Sequence, residues 1–204
     1  MNLAATHETL ATRLVPEQGS QRLAALAGLA VLGSLILWAS AKISVPFWPV
    51  PMTLQTGVVV MLAAAYGSRL GLATVLLYLG AGALGMPVFQ GTPQLGLGLP
   101  YMIGPTGGYL LGFVAATAIV GWLAERGSDR GPVRLFGAML LGDLVLFLLG
   151  FAWLAWFAML PNGAVGIGVE KAFAGGVLPF IFGDVVKISL AACLVAGVGR
   201  LVRR

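Results

Sequence analysis

Charge is what this chain has least of. Only 9% of its 204 residues are charged, against 59% that are apolar. A soluble domain carries about 25% charged residues. With 30 glycines and a mean hydropathy of +0.97, the composition is that of an integral membrane protein. There is one cysteine, Cys193, so a disulfide framework or a cysteine metal site is excluded. Cys193 sits in an apolar run and is expected to be a small core residue. The single histidine, His7, lies in a polar leader and is expected to be solvated, which excludes a histidine metal site. No acid pair stands beside a nucleophile, and no GxxxxGK[ST] loop occurs. The chain is therefore expected to be neither an enzyme nor an ATPase, and to need no cofactor or metal. Its basic residues are not interleaved with aromatics, so nucleic-acid binding is not expected.

What is present is long uncharged runs. Residues 23–41 suit one transmembrane helix. The run 43–68 begins with Pro46, Pro49 and Pro51, so its helix should start near Thr53. The run 70–124 is long enough for two spans, with a Gly/Pro-rich segment at 85–108 between them. Residues 135–169 and 172–199 supply the last two, interrupted by Asp143 and by Asp184 with Lys187. The expected fold is an all-α bundle of six transmembrane helices at 23–199, between a flexible or surface-lying tail at 1–22 and a basic tail at 200–204. With the N-terminus in the cytoplasm, every arginine falls on the cytoplasmic side, so the positive-inside rule selects N-in, C-in.

The charges that remain inside the apolar runs are the functional candidates. Asp184 and Lys187 are three residues apart and share a helix face. Each costs about 2.5–3.5 kcal/mol in a bilayer on insertion scales. They are either a structural ion pair or the site for a polar, anionic small molecule. Thr53, Gln55 and Thr56 stand at the mouth of the second helix, where Thr53 either caps the helix or faces a ligand together with Gln55. Gln90, Tyr101, Thr106 and Tyr109 are the polar side chains of the 85–109 segment. That segment is too irregular to face lipid and should form a lid or pocket wall. All these groups converge on the outer half of the bundle, which suits a largely apolar pocket for a small organic ligand. Asp143 lies deeper and reads as structural more than ligand-binding. On the first helix, small residues at four-residue spacing, Ala24 and Gly28, allow a close helix contact, within the chain or with a partner.

The segments VPMTLQT (50–56), LGMPVF (84–89), GPTGGYLLGF (104–113), GWLAERG (121–127) and LPFIFGDVVK (178–187) resemble the BioY family. These are the biotin-binding S-components of energy-coupling factor (ECF) vitamin transporters. The resemblance covers nearly the whole chain from residue 24. It implies a six-helix fold in the prokaryotic cell membrane and biotin capture from outside. It implies as partners a transmembrane coupling protein and two cytoplasmic ABC ATPases. It places Asp184 and Lys187 in the biotin site, and partner docking on the first helix at Ala24 and Gly28, where the usual Ala-xxx-Ala reads Ala-xxx-Gly. The alternative is a self-sufficient, proton-coupled transporter of biotin or another vitamin. Homo-oligomerisation is left open.

Overall fold

The computed structural model describes residues 9–127 and 131–202. His7, Arg130, Arg203 and Arg204 lie outside the described residues. The chain forms α1 (Leu10–Leu14), α2 (Ser20–Lys42), β1 (Ser44–Val45), β2 (Met52–Thr53), α3 (Gln55–Ala83), α4 (Gly98–Met102), α5 (Gly107–Glu125), α6 (Pro132–Trp156), α7 (Val169–Gly176) and α8 (Ile181–Val202). Five of these, α2, α3, α5, α6 and α8, are long and apolar enough to cross a membrane. The protein is an all-α, multi-pass membrane protein.

α3 is folded back on itself. Gly67 leaves the helix at φ +80°, ψ 179°. In a straight helix Gln55 and Tyr78 would be about 34 Å apart, yet the Gln55 amide donates to the Tyr78 hydroxyl at 2.8 Å. The halves 55–66 and 68–83 are thus two antiparallel helices joined by one residue. Only glycine accepts this turn. Its φ lies in the left-handed region, and a Cβ there would stand 2.6 Å from Glu125 Oε1. The composition put the break at Arg69, two residues late, because charge marks the end of an apolar run and not the residue that turns the chain.

Glycines set how closely the other helices approach. A Cβ on Gly108 would lie 2.1 Å from Trp153 Cβ, and one on Gly112 would lie 2.8 Å from the Leu146 carbonyl oxygen. The GPTGGYLLGF run is therefore the face of α5 that seats α6. The prolines after α2 hold an extended segment whose ends pair as a two-residue ribbon, Ser44 with Thr53 and Val45 with Met52. The second helix begins at Gln55, just past Thr53, whose hydroxyl accepts from the Gln55 N–H at 3.3 Å.

Two expectations are corrected here. The leader is not loose from Thr9 onward. Thr9, Leu10, Ala11 and Val15 are buried, and the Thr9 hydroxyl donates to the Tyr66 carbonyl at 3.3 Å beneath the Gly67 turn. Cys193 is exposed and not a core residue. The buried positions of α8 are Asp184, Ile188, Ala191, Ala192, Val195, Ala196 and Gly199, a helical stripe from which residue 193 is rotated away.

Candidate functional site

The bundle has a strand end, where β1 and β2 lie, and a turn end, where Gly67 lies. The polar candidates gather at the strand end. A cavity there offers about 50 Å³ to the centre of a water-sized sphere. At about 10–15 Å³ for one water, it holds a few waters. Its polar lining is Thr53, Gln55, Thr56, Gln90 and Thr106. Its aromatic lining is Phe89, Tyr101, Tyr109, Phe113, Phe147 and Phe180. Above it opens a vestibule of about 860 Å³ on the same measure, walled by Pro46, Phe47, Trp48 and Pro49 on one side and Met159, Leu160 and Pro161 on another. Pro51, Gln90, Tyr101 and Thr106 line both spaces and form the constriction between them.

The aromatic walls are built from pairs. Phe89 stacks on Tyr101 at 4.9 Å and 16°, and meets Tyr78 edge-on at 5.5 Å. Phe147 meets Tyr109 edge-on at 5.9 Å and touches Phe180 at 5.7 Å. Such contacts hold rings in fixed planes. Phe89 is seated because residue 82 is glycine; a Cβ there would fall 2.0 Å from the Phe89 ring. Burial raises the Tyr101 phenol above its ordinary value, so it stays a hydrogen-bond donor at neutral pH.

Asp184 and Lys187 form an ion pair, as their spacing on α8 predicts. They do not themselves line the cavity. Thr56 stands between them and it. Its hydroxyl donates to Asp184 Oδ1 at 2.6 Å and accepts from Lys187 Nζ at 2.7 Å. Lys187 also donates to the Thr53 carbonyl at 3.0 Å. The network joins residues some 130 positions apart because Gly57 lets α8 close on α3: a Cβ there would sit 2.9 Å from Lys187 Cβ. Asp184 is 2% exposed, and its second oxygen, Oδ2, has no hydrogen-bond partner among the described residues. A buried carboxylate oxygen without a donor is costly.

The other expected residues take distinct places. Gln55 lines the cavity, but both hydrogens of its amide are engaged, by the Leu37 carbonyl at 3.3 Å and by Tyr78. Tyr109 contributes its ring, while its hydroxyl donates to the Gly176 carbonyl at 2.6 Å. Thr53 gives the cavity a wall and its carbonyl to Lys187. Gln90 lines both spaces, and its Oε1 is buried with no partner among the described residues. Asp143 is buried on α6, close enough to Asp184 and Lys187 to interact with their charges, with its Oδ1 unpartnered among the described residues. Ala24 and Gly28 are far from the cavity, on an exposed flank of α2; no atom comes within 4 Å of a Cβ placed on Gly28. Thr56 reads in sequence only as one of three polar residues at the mouth of the second helix; its contact with both Asp184 and Lys187 appears once α8 is laid against α3. Phe147 and Phe180 read in sequence as ordinary apolar residues. Among the described residues there is no cluster of three His, Cys, Asp or Glu side chains able to hold a metal.

Comparison with known proteins identifies the family and the fold. A family model described as the BioY family matches residues 12–204. A probable biotin transporter BioY of Pyrococcus horikoshii is 42% identical over 154 residues, covering 76% of this chain and 83% of that protein. The biotin transporter BioY of Thermotoga maritima is 32% identical over 159 residues, covering 78% of this chain and 86% of that protein. The crystal structure at 2.1 Å of the S-component for biotin from an ECF-type ABC transporter shares the fold, with a TM-score of 0.74 at 20% identity over 90% of this chain and 95% of that one. With nearly the whole sequence matched and the motifs falling on the helix contacts and the cavity described above, this chain belongs to the BioY family.

Proposed function

We propose that the chain captures biotin at the outer face of the membrane and serves as the substrate-binding S-component of an ECF-type importer. The observation that carries this reading is the aromatic cavity whose polar floor, Thr56, is tied to both Asp184 and Lys187. Biotin joins an apolar thiophane ring and valeryl chain to a ureido group and a carboxylate. The aromatic walls suit the apolar parts. Asp184 Oδ2 suits a ureido N–H, and Lys187 suits either the ureido oxygen or the carboxylate. In this geometry the ligand reaches the pair by displacing the Thr56 hydroxyl from between the pair and the cavity, and entry from the vestibule requires Pro51, Gln90, Tyr101 and Thr106 to part.

The strand end is then the outer end. Arg22, Arg69, Arg126, Arg134 and Arg200 lie at the turn end, on or beside the helix termini there, which supports N-in, C-in by the positive-inside rule. The exposed Ala24–Gly28 flank supports docking of the coupling protein on α2, with the ABC ATPases beneath. A second reading, proton-coupled transport without ATPases, is favoured by one feature, the buried Asp143 oxygen on α6 that has no hydrogen-bond partner among the described residues.

Equilibrium binding of radiolabelled biotin to the purified chain, with thiamine and riboflavin as competitors, tests the reading. Saturable biotin binding that neither vitamin displaces is expected; thiamine or riboflavin displacing it would overturn the assignment. Uptake that survives without ATPases and collapses with an uncoupler would select the second reading.

A further inference from the structure

Lys42 is the last residue of α2, and its side chain is fully used. Its three donors meet three acceptors: the Phe89 carbonyl at 2.7 Å, the Thr92 hydroxyl at 3.1 Å and the Thr92 carbonyl at 3.3 Å. An ammonium holding neutral oxygens makes stronger hydrogen bonds than a neutral donor. The Phe89 carbonyl is a hub, since it also accepts the Thr92 hydroxyl at 2.7 Å and the Thr92 N–H at 3.4 Å. The chain 47 residues away is thereby pinned to the end of a membrane helix.

The pinned turn is not an arbitrary loop. Phe89 and Gln90 line the cavity, and Gln90 also lines the vestibule. Gln90 keeps a buried acceptor with no partner among the described residues at the constriction. The opposite side of the entrance, Pro46 to Trp48, presents Phe47 and Trp48 at 43% and 78% exposure; it is held by the two-residue ribbon, by the Phe47 ring against Phe180 at 6.4 Å and by Trp48–Pro49 packing on Gly175. One side of the entrance is thus pinned by a charged side chain and the other rests on apolar packing.

We propose that Lys42 is a positioning residue for ligand retention: by clamping the Phe89–Thr92 turn it makes that turn the fixed jaw of the entrance and holds Gln90 at the constriction. The link to a ligand rests on the reading of the cavity as a biotin site; the clamp itself does not.

The test compares the wild-type chain with Lys42→Met, which keeps the apolar stem and removes the donors, and with Lys42→Arg, which restores charge and donors. Amide exchange is followed without biotin, and biotin association and dissociation rates are measured separately. In Lys42→Met, protection falls at Thr92, Leu95 and Gly96, whose amides bond within the turn, and stays unchanged along α3 and α5. Biotin dissociates about tenfold faster, with a smaller change in association rate, as is usual for altered contacts at a preformed site. Lys42→Arg restores both. Unchanged exchange in Lys42→Met, or exchange rising throughout the bundle, overturns the clamp. Locally raised exchange with unaltered dissociation overturns its role in retention. Failure of the wild-type chain to bind biotin overturns the reading of the cavity and is seen independently of the exchange result.

Discussion

The two ends of the bundle have different cores. The strand-end core holds Tyr78, Phe89, Tyr101, Tyr109, Phe113 and Phe180 among its buried members. The turn-end core holds no buried aromatic; it is Val60, Ala63, Ala64, Ala124, Ala191, Ala192 and a few larger aliphatics, with Leu10 packed in from the leader. Large flat rings meeting edge to face leave gaps, and the cavity is that gap. Alanines on straight helices close up toward backbone contact, and the groove of about 850 Å³ at this end lies beside that core, between α2 and α3 over Arg22, Arg69 and Glu125. The same bilayer-spanning helices therefore carry an aromatic cavity at one end and a tight aliphatic core at the other, divided by side-chain size. Glu125 ties the turn together. Its Oε1 accepts the Ser68 N–H at 2.7 Å and the Ser68 hydroxyl at 2.8 Å, capping the second half of the α3 hairpin.

If that division is right, substitutions at the strand end change affinity and those at the turn end change only stability. The largest effect is expected from Lys187→Ala. It leaves Asp184 buried without its counter-ion, a loss of about 3–5 kcal/mol, and biotin binding measured at equilibrium should weaken by at least roughly 100-fold. Retained wild-type affinity would return the pair to a structural role. Gly57→Val comes next. Its added carbons meet Lys187 Cβ, α8 is pushed outward, and overpacking costs about 1–3 kcal/mol of stability. Affinity should fall with it, because Thr56 can no longer bridge Asp184 and Lys187. A variant that unfolds earlier yet binds biotin normally would show that the bridge is not needed. Glu125→Gln should cost about 1–2 kcal/mol by loss of the charged cap, read as earlier thermal unfolding in detergent, with biotin affinity unchanged. An affinity change there would break the division between the two ends. The smallest effect on the isolated chain is expected from Gly28→Leu, which enters open space and should stay within about 0.5 kcal/mol of wild type. Uptake with the ATPase module present should drop sharply in that variant. Normal uptake would remove α2 as the docking flank.

Much of this division is legible in the sequence, and the limits are instructive. Charge is so scarce that Asp184 and Lys187 announce themselves, and the spacing on α8 suffices to pair them. The apolar runs locate the helices, and Gln90 and Tyr109 fall in the cavity wall as their segment suggests. Sequence does not say which atoms are already engaged. The amide of Gln55 and the hydroxyl of Tyr109 are taken up by Tyr78 and Gly176, contacts that only the packed bundle creates. Nothing in the sequence around Lys42 shows that it holds a turn 47 residues on. Cys193 shows the opposite failure: an apolar neighbourhood in sequence is no sign of burial where the outer surface faces lipid and exposes Leu190, Leu194 and Leu201 as well.

The one-residue turn at Gly67 has a consequence for permeation. Residues 55–66 rise only about 18 Å at 1.5 Å per residue, whereas a hydrocarbon core is about 30 Å thick. In the proposed orientation Gln55 and Thr56, at the floor of the cavity, would stand well below the outer lipid headgroups, and a molecule bound there would be separated from the interior by little more than half a bilayer. The insulating layer would then be the short plug of valine and alanine between Thr56 and Gly67, so any rearrangement that admits solvent from below would need to open only that thickness.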